Sequence, residues 1–157
     1  MIRPRRRPVF AAIAVAASLA LAQGYYLQHF AALLPCPYCV LQRYVYATVI
    51  VAAVIAWADW PRATWHGAAT ASLATLGAGV AFWQWQHASS MTSCRVDPVG
   101  EFVNALPTAR WWPDYLFAEG NCADSAATLF GAPIPLWSGG LFLVLAAAAA
   151  WASLTRS

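Results

Sequence analysis

Between Pro8 and Gln42 the chain carries no Asp, Glu, Lys or Arg. The hydrocarbon core of a bilayer is crossed by about 20 apolar residues of helix, and Val9 to about Phe30 supplies such a run. The rest of the chain repeats the pattern. Overall 61% of the 157 residues are hydrophobic and 10% are charged, against about 25% charged in soluble domains. One water-soluble core could not hide so much apolar surface, which excludes a soluble enzyme. Nine Trp, six Tyr and seven Phe exclude a disordered or collagen-like chain. The expected class is an all-α membrane protein with four transmembrane helices in a bundle and a long outer loop carrying a short amphipathic helix.

The spans expected are about 9–30, 40–57, 67–86 and 136–154, within a single membrane domain covering 1–157. Arg43 lies one turn inside the second span. The loops are about 31–39 and 87–135, with a short inner connection around Asp59-Trp60-Pro61-Arg62. All nine basic residues are Arg. With both termini in the cytoplasm, the inside holds Arg3, Arg5, Arg6, Arg7, Arg62 and Arg156, and the outside only Arg43, Arg95 and Arg110. Six against three favours that orientation. The N-terminal Arg cluster precedes an apolar run, with no basic stripe or interleaved aromatics, so it reads as a topology signal and not as a nucleic-acid site. A rival reading makes residues 1–22 a cleaved signal peptide ending at Ala20-Leu21-Ala22. The uncharged run continues well beyond Ala22, which is long for such a leader, and either reading leaves the Cys-bearing loops outside.

The segment of 49 residues from His87 to Pro135 holds five of the six acidic residues: Asp97, Glu101, Asp114, Glu119 and Asp124. Asp97-Pro98 can serve as N-cap and first helical residue. Val99, Phe102, Val103 and Leu106 then share one helix face, suited to a membrane surface or equally to packing on the protein's own bundle. Trp111, Trp112, Tyr115 and Phe117 suit headgroup depth, with the same alternative.

Four cysteines fall on the outer side, where disulfides persist. Cys36 and Cys39 form Cys-Pro-Tyr-Cys at the entrance to the second span, and Cys94 and Cys122 bracket the core of the outer loop. Three pairings are possible; the local arrangement favours Cys36–Cys39 with Cys94–Cys122 at rest. Closing the 29-residue loop between Cys94 and Cys122 restricts the unfolded chain by about 3.6 kcal/mol if the effect is entropic. The Cys36–Cys39 ring staples almost nothing, and its spacing is typical of exchanging thiols. Zinc would want two short knuckles, and the second pair is not one; no metal is expected.

Arg43 follows Cys39 by four residues, so both project from one helix face. At a helix N-terminus the dipole and the guanidinium favour a thiolate. Arg at the lipid edge is costly without an anion to face, although a snorkelling topology Arg is the plainer alternative. Together Cys39 and Arg43 suggest a reactive sulfur beside a site for an electron-rich, partly anionic ligand.

The chain resembles the disulfide bond formation protein B (DsbB) family of bacterial inner membranes. The likeness rests on Pro35-Cys36-Pro37-Tyr38-Cys39-Val40-Leu41-Gln42-Arg43-Tyr44, the four spans and the late Cys pair. Trp111-Trp112-Pro113 before Gly120-Asn121-Cys122, and Pro133-Ile134-Pro135-Leu136-Trp137 entering the last span, add to it. Cys-Pro-Tyr-Cys also resembles glutaredoxins, but those are soluble α/β proteins. The DsbB resemblance implies reoxidation of a periplasmic thioredoxin-fold (DsbA-like) thiol oxidase, with electrons passing to a membrane quinone, ubiquinone or menaquinone. It implies that Cys94 is attacked by the partner, that Cys122 exchanges with Cys36, and that Cys39 donates to the quinone with Arg43 stabilising charge. It also sets His87 and Trp137 near the quinone; read by themselves, they suit an interfacial anchor and an aromatic belt. Pro37-Tyr38 should tune the redox poise of the pair.

Such a partner has a potential near about −120 mV, whereas ordinary secreted disulfides lie below about −300 mV. Oxidising it with an ordinary disulfide is uphill by roughly 8 kcal/mol, so Cys94–Cys122 must be strained or coupled to a stronger sink. Two further readings remain. One is a non-catalytic membrane scaffold with structural disulfides. The other is an enzyme like the vitamin K epoxide reductases, whose Cys-x-x-Cys lies late in the chain, whereas here it opens span two.

Overall fold

The computed structural model describes residues 7–59, 62–87, 97–120 and 128–154. Four long helices make the body: α1 (Arg7–Phe30), α2 (Pro37–Ala58), α3 (Ala63–His87) and α7 (Ile134–Leu154). The segment between α3 and α7, expected from the sequence to be the outer one, contributes α4 (Pro98–Ala105), α5 (Pro107–Trp111) and α6 (Pro113–Leu116). A two-residue hairpin, β1 (Thr128–Leu129) and β2 (Ala132–Pro133), leads into α7. By length and composition α1, α2 and α7 can each cross a membrane. The 25-residue α3 is the fourth long helix, its apolarity diluted by Thr, Gln, His and Gly.

The helices pack through narrow seams of small residues. Gly67, Thr70, Ala74, Gly77, Ala78, Ala81 and Gln84 are the buried line of α3 beyond its first turn. Such a line lets neighbouring helices approach where apolar burial alone does not drive them together. The Phe142 ring of α7 fills the groove at Gly77, where a Cβ would overlap it. Behind it the Tyr46 ring stacks on Phe142 at 3.9 Å between centroids. Phe10, Ile13 and Ala17 of α1, with Val49 and Ala53 of α2, complete this core.

Two turns set the outer rim. Ala32 closes α1 in the left-handed region (φ 53°), and the Leu33 N–H returns to the Leu27 carbonyl at 3.3 Å, the pattern of a Schellman cap. Phe130 and Gly131 both have positive φ, as a tight type I′ hairpin requires.

The outer segment folds onto the bundle. Val103 is fully buried against Val40 and Ala118, with Val99 beside them, so part of the apolar face of α4 is spent on α2, while Phe102 stays exposed. Asn104 clasps the Ala118 backbone from both sides, accepting from its N–H at 2.8 Å and donating to its carbonyl at 3.3 Å. Tyr44 and Thr108 hydroxyls meet at 2.6 Å. Asp97 occupies the N-cap position with Pro98 at N1, as the sequence suggests, but its side chain makes no capping bond. Among the described residues its Oδ2 atom is buried without a hydrogen-bond partner. Trp111 and Trp112 are exposed, whereas Tyr115, grouped with them by sequence, is buried because its ring is needed beneath Arg43.

Candidate functional site: a thiol pair at the mouth of an apolar cavity

Cys36 is the N-cap of α2 and Pro37 its first helical residue. The Cys36 Sγ accepts the Cys39 N–H at 3.3 Å, the role usually taken by Ser or Asp oxygen. Capping therefore points both sulfurs into the same first turn, where they stand 2.9 Å apart as separate thiols. The positive end of the helix dipole faces them. Cys36 is wholly buried, packed with Tyr38, Val80 and Val99, while Cys39 is partly exposed.

The exposed side of Cys39 borders a cavity of about 470 Å³ formed by α1, α2, α3, the hairpin and the start of α7. Its walls are largely Leu, Pro and aromatic side chains; the polar groups are Gln42, Arg43 and Gln84 near Cys39, with Gln23 and Ser138 elsewhere on the lining. That size and balance suit a ring-sized apolar ligand held by a few polar contacts.

Arg43 is 9% exposed and does not snorkel. Its Nη1 donates to Gln28 Oε1 at 2.8 Å and to the Tyr115 carbonyl, and Nη2 donates to the Gly24 carbonyl at 3.4 Å. The guanidinium lies 4.1 Å from the Tyr115 ring centroid. Every one of these partners is neutral, and among the described residues no carboxylate pairs with it. A clamped cation thus keeps its charge at an apolar wall. Tyr115 is fixed in turn by its hydroxyl, which donates to the Leu21 carbonyl at 2.7 Å.

Of the residues expected from sequence, Cys36, Cys39, Arg43 and Trp137 come together. Trp137 lines the cavity, and its Nε1 donates to the Leu129 carbonyl at 2.9 Å. His87 is not brought to the cavity: its ring stacks on Trp83 at 3.8 Å and its Nδ1 lies 3.0 Å from the Trp83 carbonyl. Cys94 and Cys122 lie outside the described residues.

Three residues here escape a reading by motif. Gln84 Nε2 donates to Cys36 Sγ at 3.2 Å and Cys39 Sγ at 3.3 Å, and its Oε1 accepts from Gln42 Nε2 at 2.5 Å. Gln28 and Tyr115 hold Arg43. For the two glutamines the available signal was amide side chains in otherwise apolar helices, since a buried amide needs partners.

Helices able to cross a membrane, with a vicinal thiol pair capping one of them beside an apolar cavity, define a multi-helix membrane protein built around paired cysteines. The family model described as "Disulfide bond formation protein DsbB" matches residues 5–152. The chain belongs to this family, whose members are helical proteins with four membrane spans. It is 41% identical over 142 residues to Disulfide bond formation protein B of Herminiimonas arsenicoxydans, covering 89% of this chain and 90% of that protein. The same-named proteins of Ralstonia nicotianae and Nitrosospira multiformis are 38% and 34% identical. These cover 84% of each chain for the former, and 99% of this chain and 95% of the relative for the latter.

Proposed function

We propose that this chain is a quinone-linked protein thiol oxidase that reoxidises a periplasmic DsbA-like dithiol oxidase. The observation that carries the reading is that Cys39 shares its cavity with Arg43, an enclosed cation whose hydrogen-bond partners among the described residues are all neutral. Family membership supports the disulfide chemistry.

In this scheme a partner thiolate attacks Cys94 of a Cys94–Cys122 disulfide, and the partner's second thiol resolves the mixed disulfide, leaving as an oxidised partner. Cys122 then attacks Cys36 of a Cys36–Cys39 disulfide, and Cys39 departs as a thiolate; Cys94 attacks Cys122 in turn, re-forming the Cys94–Cys122 bond and releasing Cys36 as a thiol. An isoprenoid quinone, ubiquinone or menaquinone, supplies a two-electron, two-proton acceptor that matches one dithiol. Cys39 stands at the cavity to deliver the electron pair. Arg43 holds negative charge in place, and Trp137 with the leucine walls excludes water. Cys36 is sealed in the present conformation, so its exchange requires the packing around it to open. In this reading the protein lies in a bacterial inner membrane, and the charge balance of the arginines supports both termini cytoplasmic with the thiols facing the periplasm.

The test mixes purified protein, a soluble ubiquinone analogue and a reduced thioredoxin-fold oxidase without oxygen. Quinone absorbance is expected to fall with matching loss of partner thiols, to be abolished by Cys39→Ala, and to slow strongly with Arg43→Ala. Quinone loss that survives both substitutions unchanged would overturn the assignment. Absence of activity in the wild type would favour a structural scaffold.

A further inference from the structure

We propose that Gln84 is a catalytic residue of the thiol pair: its amide, oriented by Gln42, donates to both sulfurs and makes the Cys36–Cys39 disulfide a stronger oxidant. The inference rests on the thiol-oxidase reading above and adds to it the group that sets the poise of the inner pair.

Gln84 is 1% exposed and Gln42 6%. An amide buried in a helix seam costs several kcal/mol unless its polar atoms are satisfied. Gln42 Nε2 occupies Gln84 Oε1 at 2.5 Å. That contact fixes which end of the Gln84 amide faces the cysteines, and Nε2 meets the two sulfurs at 3.2 and 3.3 Å. The amide therefore sits on the reacting atoms themselves, reaching across from α3 to the first turn of α2.

The bond differs between redox states. Hydrogen bonds to an ionised acceptor are roughly twice as strong as those between neutral groups, while a disulfide sulfur is only a weak acceptor. On reduction by two glutathiones the Cys36–Cys39 bond breaks. Cys36 becomes a thiol, Cys39 a thiolate with release of one proton, and the glutathiones join as a disulfide. Gln84 gains strength on the product side alone, and a contact shifts an equilibrium by its difference between the two states. Stabilising the reduced form is what makes a disulfide oxidising. A pair that must accept electrons from a strongly oxidising partner needs that bias.

The experiment uses full-length protein carrying Cys94→Ser and Cys122→Ser, so that one couple titrates. It is equilibrated in detergent with graded glutathione and glutathione disulfide, without quinone, and its free thiols are counted by alkylation and mass. Gln84→Met is expected to shift the equilibrium toward the disulfide by about tenfold, equal to about 30 mV for a two-electron couple. Gln42→Met, which keeps the Gln84 amide but removes its Oε1 contact to Gln42, should shift it in the same direction by a smaller factor. A Gln84→Met couple matching the unsubstituted one overturns the proposal. Should Gln84→Met fail to fold, an unchanged Gln42→Met couple overturns it instead. If the unsubstituted pair shows no reversible couple with glutathione, the thiol-oxidase reading itself fails, and this inference with it.

Discussion

The Gly120 N–H donates to the Pro35 carbonyl at 3.0 Å, tying the outer segment to the residue directly before Cys36. A Cβ at Gly120 would overlap the Leu34 carbonyl, so the close approach requires glycine. Cys122 is two residues further along the chain, which spans at most about 7 Å. If exchange between Cys122 and Cys36 is the relay, this tether keeps its two ends at high effective concentration. Gly120→Ala should lower partner-driven quinone reduction on the order of tenfold, since small misplacements near reacting groups carry such penalties. Reduction driven by dithiothreitol acting directly on Cys36–Cys39 should stay near the wild-type rate. Equal loss in both assays would mean that Gly120 serves folding and not the relay.

Arg43→Lys keeps the charge and removes the fork. Lysine cannot reach Gln28, Gly24 and Tyr115 at once, and its ammonium is a more strongly hydrated point charge. KM for a ubiquinone analogue is expected to rise by about tenfold or more in steady-state assays, with folding retained. A KM equal to wild type would show that charge alone suffices and that the clamp has no functional role.

Burial raises the Tyr115 hydroxyl above its ordinary value of 10.0, while the Arg43 guanidinium pulls it the other way. With the folded value above the unfolded one, this group's contribution to stability is complete below about pH 10. It fades as pH rises through the folded value. Deprotonation also removes the donor to Leu21. Melting temperature measured in detergent from pH 8 to 11 should therefore fall more steeply in wild type than in Tyr115→Phe. At pH 8 the substitution should cost roughly 1 kcal/mol. Parallel pH curves would show that Tyr115 does not control the alkaline limb.

Much of this architecture is written locally along the chain. Apolar runs long enough to span, and the four-residue offset from Cys39 to Arg43, need only helix periodicity to be read. The amphipathic stretch from Val99 to Leu106 was visible as well, but its choice between lipid and the bundle was not. That choice depends on whether Val40 presents a matching surface, and it does. Tyr115 resembles its aromatic neighbours in sequence and differs from them in its tertiary contacts, with Arg43 over its ring and the Leu21 carbonyl on its hydroxyl.

By itself the sequence determined the helical membrane class, the placing of a Cys-x-x-Cys pair at a helix start, and the family, because hydrophobic periodicity and short motifs are properties of adjacent residues. Only the tertiary structure decided what surrounds the sulfurs. Gln84 is 45 residues from Cys39 and Tyr115 is 72 from Arg43. No local rule links such positions; they meet because small residues in α3 let the helices close, and because the outer segment folds back over α2.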